Sequence, residues 1–255
     1  MAYENLIYEK QGHIAVITGN RPEAMNANNL GMTREKRLAF LDFENDPDLW
    51  VCIYTGAGER AFCAGGDLKE RAQNYEDFLE RRKHPNPLMN PGQLTKPVIA
   101  AVNGFAHGGG FEEALSCDII LAADHANFRL PEPLRGFLPG AGMFWLPRSI
   151  PYKKAMGILL TAKAISAQEA YDLGLVSEVV PLKDLRETAM KWANDILELA
   201  PLAVKSLKHF VALGMEMPIR GALQLNSSAW VDSTEDAREG PRAFVEKRKP
   251  VWKGR

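Results

Sequence analysis

The sequence predicts an α/β fold that gives way to an all-helical C-terminal region. Three features point there. Short strand-forming runs alternate with helix-forming segments through the first two-thirds of the chain. Two of those runs lead into glycine-rich turns that open helices. From Leu182 onward nearly everything is helix-prone, with charges interleaved among Leu, Ala, Ile and Met, and an organisational boundary is set near residue 195.

The chain starts as a hairpin: Leu6 to Glu9 and His13 to Thr18 are β-prone runs around Gln11–Gly12. Asn20 to Asn29 is a polar loop containing Pro22. Leu30 to Asn45 reads as a helix with apolar residues at Leu38, Phe40, Leu41 and Phe43. Trp50 to Thr55 is a short buried strand, closed by Gly56–Ala57–Gly58. Ala61 to Asp67 is a glycine-rich turn, and the charged stretch Leu68 to Arg82 reads as helix. His84 to Gln93, with three prolines and a glycine, is a loop. Lys96 to Asn103 is a buried strand, Gly104 to Gly110 a second glycine-rich turn, Phe111 to Cys117 a helix and Asp118 to Ala123 a strand. Phe128 to Gly142 is a loop rich in Pro and Gly, and Ile150 to Ala162 a helix. Ser166 to Leu173 is a helix with Glu169 three residues after Ser166, the spacing of a capping box. No internal repeat is visible.

Composition bounds the function. The 255 residues are 46% hydrophobic and 25% charged, enough for one large domain with a sizeable core, or one domain with an appendage. A formal net charge of -1 steers the molecule neither to nucleic acid nor to an anionic membrane. The 5 histidines are scattered without zinc-motif spacing, so no metal is expected. The 3 cysteines, Cys52, Cys63 and Cys117, sit in apolar or glycine-rich stretches, which fits a reducing compartment. Met1 to Gln11 has no basic start followed by an apolar run, and no apolar stretch reaches membrane-span length. A cytoplasmic protein with no membrane contact is expected.

The two glycine-rich turns, Cys63–Ala64–Gly65–Gly66–Asp67 and His107–Gly108–Gly109–Gly110, each follow a buried strand and precede a helix. Such turns present free backbone N–H groups, and a helix N-terminus adds positive potential. Two donors converging on one oxygen make an oxyanion hole. Either turn alone reads first as a tight turn. Neither ends in the Lys-Ser/Thr of a phosphate-binding loop.

Ala61 to Glu70 (AFCAGGDLKE), Lys96 to Asp118 (KPVIAAVNGFAHGGGFEEALSCD) and Phe128 to Gly142 (FRLPEPLRGFLPGAG) resemble the three signature blocks of the enoyl-CoA hydratase/isomerase (crotonase) family. Asn20 to Asn29, Leu159 to Pro181 and Ala237 to Lys249 resemble its opening and later blocks, in order along nearly the whole chain. The resemblance implies a crotonase-like spiral of ββα units over residues 1–195, carrying a CoA-thioester site. It implies a helical region over 196–255 that builds a homotrimer or homohexamer. It gives the N–H groups of Gly66 and Gly109 to the thioester oxygen. It gives Glu132 the α-carbon proton and Glu112 the water that attacks the β-carbon. Ala64, Asp67, Lys69, His107, Gly108, Pro131, Gly140, Phe144 and Lys247 fall at substrate or CoA positions. Asp67 is also expected to cap the following helix, and Lys247 to reach the CoA 3′-phosphate. No metal or redox cofactor is implied, because CoA arrives as part of the acyl-CoA substrate.

The implied reaction is hydration of a 2-enoyl-CoA or the reverse dehydration. Double-bond isomerisation needs mainly one base, at Glu132, and the intact Glu112 argues against it. Thioester hydrolysis or carbon–carbon cleavage on the same scaffold is a further alternative. A non-catalytic CoA- or RNA-binding protein is the rival from another class. Near-neutral charge, without interleaved aromatic and basic residues, argues against RNA.

Several residues keep two readings. Alone, Glu112 also fits a helix N-terminal acid, and Glu113 is assigned a solvent-facing or supporting role. Glu132, between Pro131 and Pro133, is expected to be extended. Met143–Phe144–Trp145 either reshapes the acyl pocket or packs the core. His107 either hydrogen-bonds a polar acyl group or is structural. Arg129 and Arg135 either bind a substrate carboxylate or lie at the surface. Lys247 and its basic neighbours also fit a solvated charged face.

Overall fold

The computed structural model describes residues 3–76, 79, 86–90, 92–225 and 228–255. The chain opens with β1 (Leu6–Gln11) and β2 (Ile14–Gly19), antiparallel and in register from Leu6 against Gly19 to Gln11 against Ile14. Helix α1 (Leu30–Asn45) has the bounds the sequence suggests. Asn29 starts it by accepting the Met32 N–H at 2.7 Å, satisfying one of the donors a helix start leaves free.

Three units of one kind follow, each a strand for a large sheet, a strand for a small one, and a helix. The first is β3 (Val51–Gly56), β4 (Ala61–Cys63) and α2 (Leu68–Gln73). The second is β5 (Val98–Val102), β6 (Phe105–His107) and α3 (Gly109–Leu115). The third is β7 (Ile119–Ala123), β8 (Asn127–Arg129) and α4 (Gly142–Ser149), joined by a 3-10 turn at Glu132–Arg135. Next come α5 (Tyr152–Thr161), β9 (Ile165–Ser166), α6 (Ala167–Asp172) and β10 (Glu178–Val180). The chain closes with α7 (Leu182–Leu197), α8 (Pro201–Met215), α9 (Ile219–Ala222) and α10 (Glu235–Val245).

The large sheet has six strands in the order β1-β2-β3-β5-β7-β10, and the small sheet four in the order β4-β6-β8-β9. Every large-sheet pairing after β1–β2 is parallel. Parallel strands covered on both faces need near-continuous apolar runs, and β3 and β5 supply them in VCIYTG and VIAAV. Helix α7 packs across β3, β5 and β7. The whole is the α/β spiral of ββα units that the resemblance implies.

The two glycine-rich turns are shorter than expected. Strand β4 takes up part of Ala61 to Asp67, and β6 takes up part of Gly104 to Gly110. Both are three-residue strands, too short to carry an alternating pattern. The loop expected over Phe128 to Gly142 holds the end of β8 and the 3-10 turn, and α4 begins at its last residue. The helix expected over Leu68 to Arg82 is α2 as far as Gln73, where Asn74 leaves helical geometry at φ −143. Residues 77, 78 and 80–82 of that expectation, and 84, 85 and 91 of the following loop, lie outside the described residues. The capping box is present, with Ser166 N–H donating to Glu169 at 2.8 Å and Glu169 N–H to Ser166 Oγ at 3.1 Å. No helix among the described residues is long and apolar enough to cross a membrane.

Candidate active site

Strands β4 and β6 run parallel, Ala61 beside Phe105 and Cys63 beside Ala106, so both glycine turns leave the same end of the small sheet. They approach too closely for side chains. A Cβ on Gly65, whose φ is +91, would lie 2.9 Å from the His107 carbonyl oxygen and 3.2 Å from the Gly109 nitrogen. One on Gly110 would lie 2.0 Å from the Cys63 carbonyl oxygen.

Most N–H groups of the two turns are engaged. Ala64 donates to Met25 O at 3.0 Å, Asp67 to Asn28 O at 3.0 Å and Gly108 to Arg129 O at 2.8 Å. Gly65 donates to Cys63 Sγ at 3.4 Å. The N–H groups of Gly66 and Gly109 have no acceptor among the described residues.

Two carboxylates face the second turn from different elements. Glu112, on α3 and 7% exposed, accepts the N–H of Gly142, the first residue of α4, at 2.8 Å. Its Oε2 lies 4.0 Å from the Cβ position of Gly109, and its Oε1 3.4 Å from that of Gly140. Glu132 puts Oε1 2.9 Å from the Cβ position of Gly108, while its Oε2 is buried with no hydrogen-bond partner among the described residues. The expected extended conformation is not adopted, because Glu132 opens the 3-10 turn. Pro133 follows within that first turn, where its missing N–H costs nothing.

Burial raises both carboxyls. Glu112 is lifted by desolvation, held back by the Gly142 N–H and lifted again by the charge of Glu113. Glu132 is pushed up to about 7, first by desolvation; its own backbone N–H opposes this, and the charge of Glu112 adds to it. The folded value of Glu132 lies above the unfolded one, so its share of stability is whole in acid and lost as pH rises through about 7. Glu132→Gln removes that loss. Thermal melts of the variant are expected to exceed those of the parent at about pH 8 and to converge with them toward about pH 4.

Of its two readings, Glu113 takes the supporting one and not the solvent-facing one. It is 2% exposed and pairs with Lys36, itself 1% exposed, at 2.8 Å. Its carboxylate also accepts from Tyr54 Oη at 2.7 Å, Asn28 Nδ2 at 3.1 Å and Asn86 Nδ2 at 3.4 Å. None of these partners was singled out from sequence. The signal was present on α1, where Met32, Lys36, Ala39, Phe40 and Phe43 share one buried face, so a lysine stands in an apolar stripe.

Ala64, Gly66, Asp67, Gly108, Gly109, Glu112, Glu132 and Gly140 are thus brought to one place. Asp67 caps α2, accepting the N–H groups of Lys69 at 3.1 Å and Glu70 at 3.3 Å, and pairs with Arg21 at 3.1 Å. His107 follows its structural reading: Nε2 lies 2.6 Å from Asn127 Oδ1, and burial lowers its pKa. Arg129 donates Nε to Ala162 O at 2.7 Å, and Arg135 is exposed. Phe144 is exposed and does not pack in the core, whereas Trp145 packs on it. Pro131 caps the 3-10 turn, and Lys69 is exposed. Lys247, exposed, follows α10 in a left-handed conformation at φ 53. Among the described residues, no three His, Cys, Asp or Glu side chains cluster to hold a metal ion.

The family model described as enoyl-CoA hydratase/isomerase matches residues 9–255. A short-chain-enoyl-CoA hydratase of Clostridium acetobutylicum is 42% identical over 256 residues, covering 98% of this chain and 97% of its own. A carnitinyl-CoA dehydratase of Citrobacter koseri is 41% identical over 270 residues, covering 99% of each chain. The solved enoyl-CoA hydratase of Bacillus anthracis superposes with a TM-score of 0.92 at 37% identity, over 99% of this chain and 100% of its own.

Proposed function

The chain belongs to the enoyl-CoA hydratase/isomerase family, and from that premise we propose that it adds or removes water across the 2,3-double bond of an acyl-CoA thioester. The observation that carries this reading is the pair of raised carboxyls, Glu112 buried and Glu132 half-buried, facing a turn whose Gly109 N–H has no acceptor among the described residues.

In hydration the thioester oxygen takes hydrogen bonds from Gly66 and Gly109. Glu112, ionised, removes a proton from water as its oxygen bonds to the β-carbon. The double-bond electrons move toward the thioester, and the enolate oxygen that results is held by the two N–H groups. Glu132, protonated, then delivers its proton to the α-carbon. The product has gained one water, with one carboxyl protonated and one ionised as before, their roles exchanged. Dehydration is the reverse. The unpartnered Oε2 of Glu132 suits a group whose hydrogen-bond partner arrives with the substrate.

The test is turnover of straight-chain, branched, aromatic and carboxylated 2-enoyl-CoA esters, with product masses measured. A gain of one water supports the proposal. A shifted double bond without water would replace it with isomerisation, and free CoA with hydrolysis.

No metal or redox cofactor enters this scheme. Hydration is redox-neutral, and backbone donors hold the developing charge. The same turnover after exhaustive EDTA treatment is therefore expected, and its loss would overturn this point. The compartment is proposed to be the cytoplasm, in keeping with three unpaired cysteines. Fractionation of cells that express the protein checks it.

The region after residue 195 is proposed to assemble three or six copies. Leu207, Val211 and Met215 recur every fourth residue along α8 at 66%, 56% and 79% exposure, an apolar stripe suited to burial against other copies. Light scattering is expected to give the mass of a trimer or hexamer, and a monomer at micromolar concentration would contradict this.

A further inference from the structure

The two donors proposed for the thioester oxygen stand on separate turns, so something must fix their spacing. The Gly66 turn is held by Asn28. The Asn28 N–H donates to Gly65 O at 2.7 Å, and its carbonyl accepts the Asp67 N–H at 3.0 Å. These bonds bracket Gly66 and leave its own N–H outside the bridge. The Gly109 turn opens α3, and Glu113 lies on α3.

The Asn28 side chain joins the two. Its Oδ1 accepts from Lys36 Nζ at 2.7 Å, and its Nδ2 donates to Glu113 at 3.1 Å. That Nδ2 also lies 3.9 Å from the Cβ position of Gly109. Lys36 and Glu113 lock around it, with side chains only 1% and 3% exposed. A buried ion pair is expensive to desolvate, and an apolar pair of similar volume often stabilises as well. An apolar pair could fill this space, but it could not orient an amide.

We infer that Lys36 and Glu113, acting through Asn28, are positioning residues that set the separation of the Gly66 and Gly109 donors, an inference that rests on the oxyanion reading of those two groups. They touch no substrate. They hold one carboxamide, and the carboxamide ties the turn after β4 to the start of α3.

The test uses two variants. Lys36→Met with Tyr54→Phe and Glu113→Leu removes the charges together, leaving no lone buried ion or hydroxyl. Asn28→Ala keeps the ion pair and the backbone bridge but cuts the link. Each is measured for thermal unfolding, for hydration kcat and KM, and for the infrared carbonyl frequency of a bound enoyl thioester. The parent is expected to lower that frequency, as two donors polarise the carbonyl. In the variants the lowering shrinks, kcat falls about tenfold to a hundredfold, and KM changes little because ground-state binding is mostly retained. Variants that keep the parent's kcat and carbonyl shift would overturn the inference while leaving the oxyanion reading intact. So would a fall in kcat with the full carbonyl shift. A parent with no carbonyl shift would overturn the oxyanion reading and this inference with it. Should the triple variant not fold, Asn28→Ala decides alone.

Discussion

Glu132→Gln and Glu112→Gln are each expected to lower hydration kcat by ~10²–10⁴, the usual worth of a positioned acid or base. The two losses have different origins. Glutamine at 132 has no proton to give the α-carbon. Glutamine at 112 still accepts the Gly142 N–H through its carbonyl oxygen, so its geometry is kept and only basicity is lost. The pH profile follows from the same assignment. Hydration uses Glu132 protonated, so its rate falls as pH rises through about 7, whereas dehydration uses Glu132 ionised and rises over the same range. Because Glu112 raises Glu132 by its charge, the limbs report the pair rather than either residue alone. Initial rates in both directions across pH, for the parent and both variants, check all of this.

Gly110→Ala is expected to cost roughly 3 kcal/mol of stability and most of the activity. The new methyl would lie 2.0 Å from the Cys63 carbonyl oxygen and 2.8 Å from Cys63 Cβ. Backbone cannot rotate aside as a long side chain does, so β4 and the start of α3 must separate. That movement carries the Gly66 turn away from Gly109, which ties the stability loss to a catalytic one. Gly157→Ala is the control, on α5 with nothing within 4 Å of its new Cβ, and is expected to stabilise slightly through helix propensity. Urea denaturation of both variants beside hydration assays tests the contrast.

The parts of the site that depend on residue type were legible early. Glycines at 65, 66 and 108–110 announce tight turns in the sequence itself, whereas the donor roles of the turns and the proton roles of Glu112 and Glu132 came from the ordered resemblance of the blocks that hold them. Helix α1 has the expected bounds, and the structure supplies the reason: Asn29 caps its start, and Met32, Ala39, Phe40 and Phe43 line a buried face. The repeat of strand, strand and helix was not legible. Its second strands, β4, β6 and β8, are three residues each, and pairing rather than patterning makes them strands. Glu113 kept a solvent-facing reading beside its supporting one because a charge beside a helix start ordinarily faces water. Only the fold brings Lys36 from α1 and Tyr54 from β3 against it. Glu132 was misread through a rule that pushes a residue before proline out of helical geometry. A 3-10 turn held by the Leu134 N–H to the Pro131 carbonyl at 3.0 Å overrides it.

The division of labour between the two carboxylates is tested most directly by α-proton exchange. A saturated acyl-CoA offers an α-proton but no double bond to hydrate, so in deuterium oxide its exchange needs the oxyanion donors and Glu132 alone. Deuterium uptake at the α-carbon is expected in the parent and in Glu112→Gln, and not in Glu132→Gln. Uptake that survives Glu132→Gln and disappears in Glu112→Gln would contradict the assignment of the α-carbon proton to Glu132.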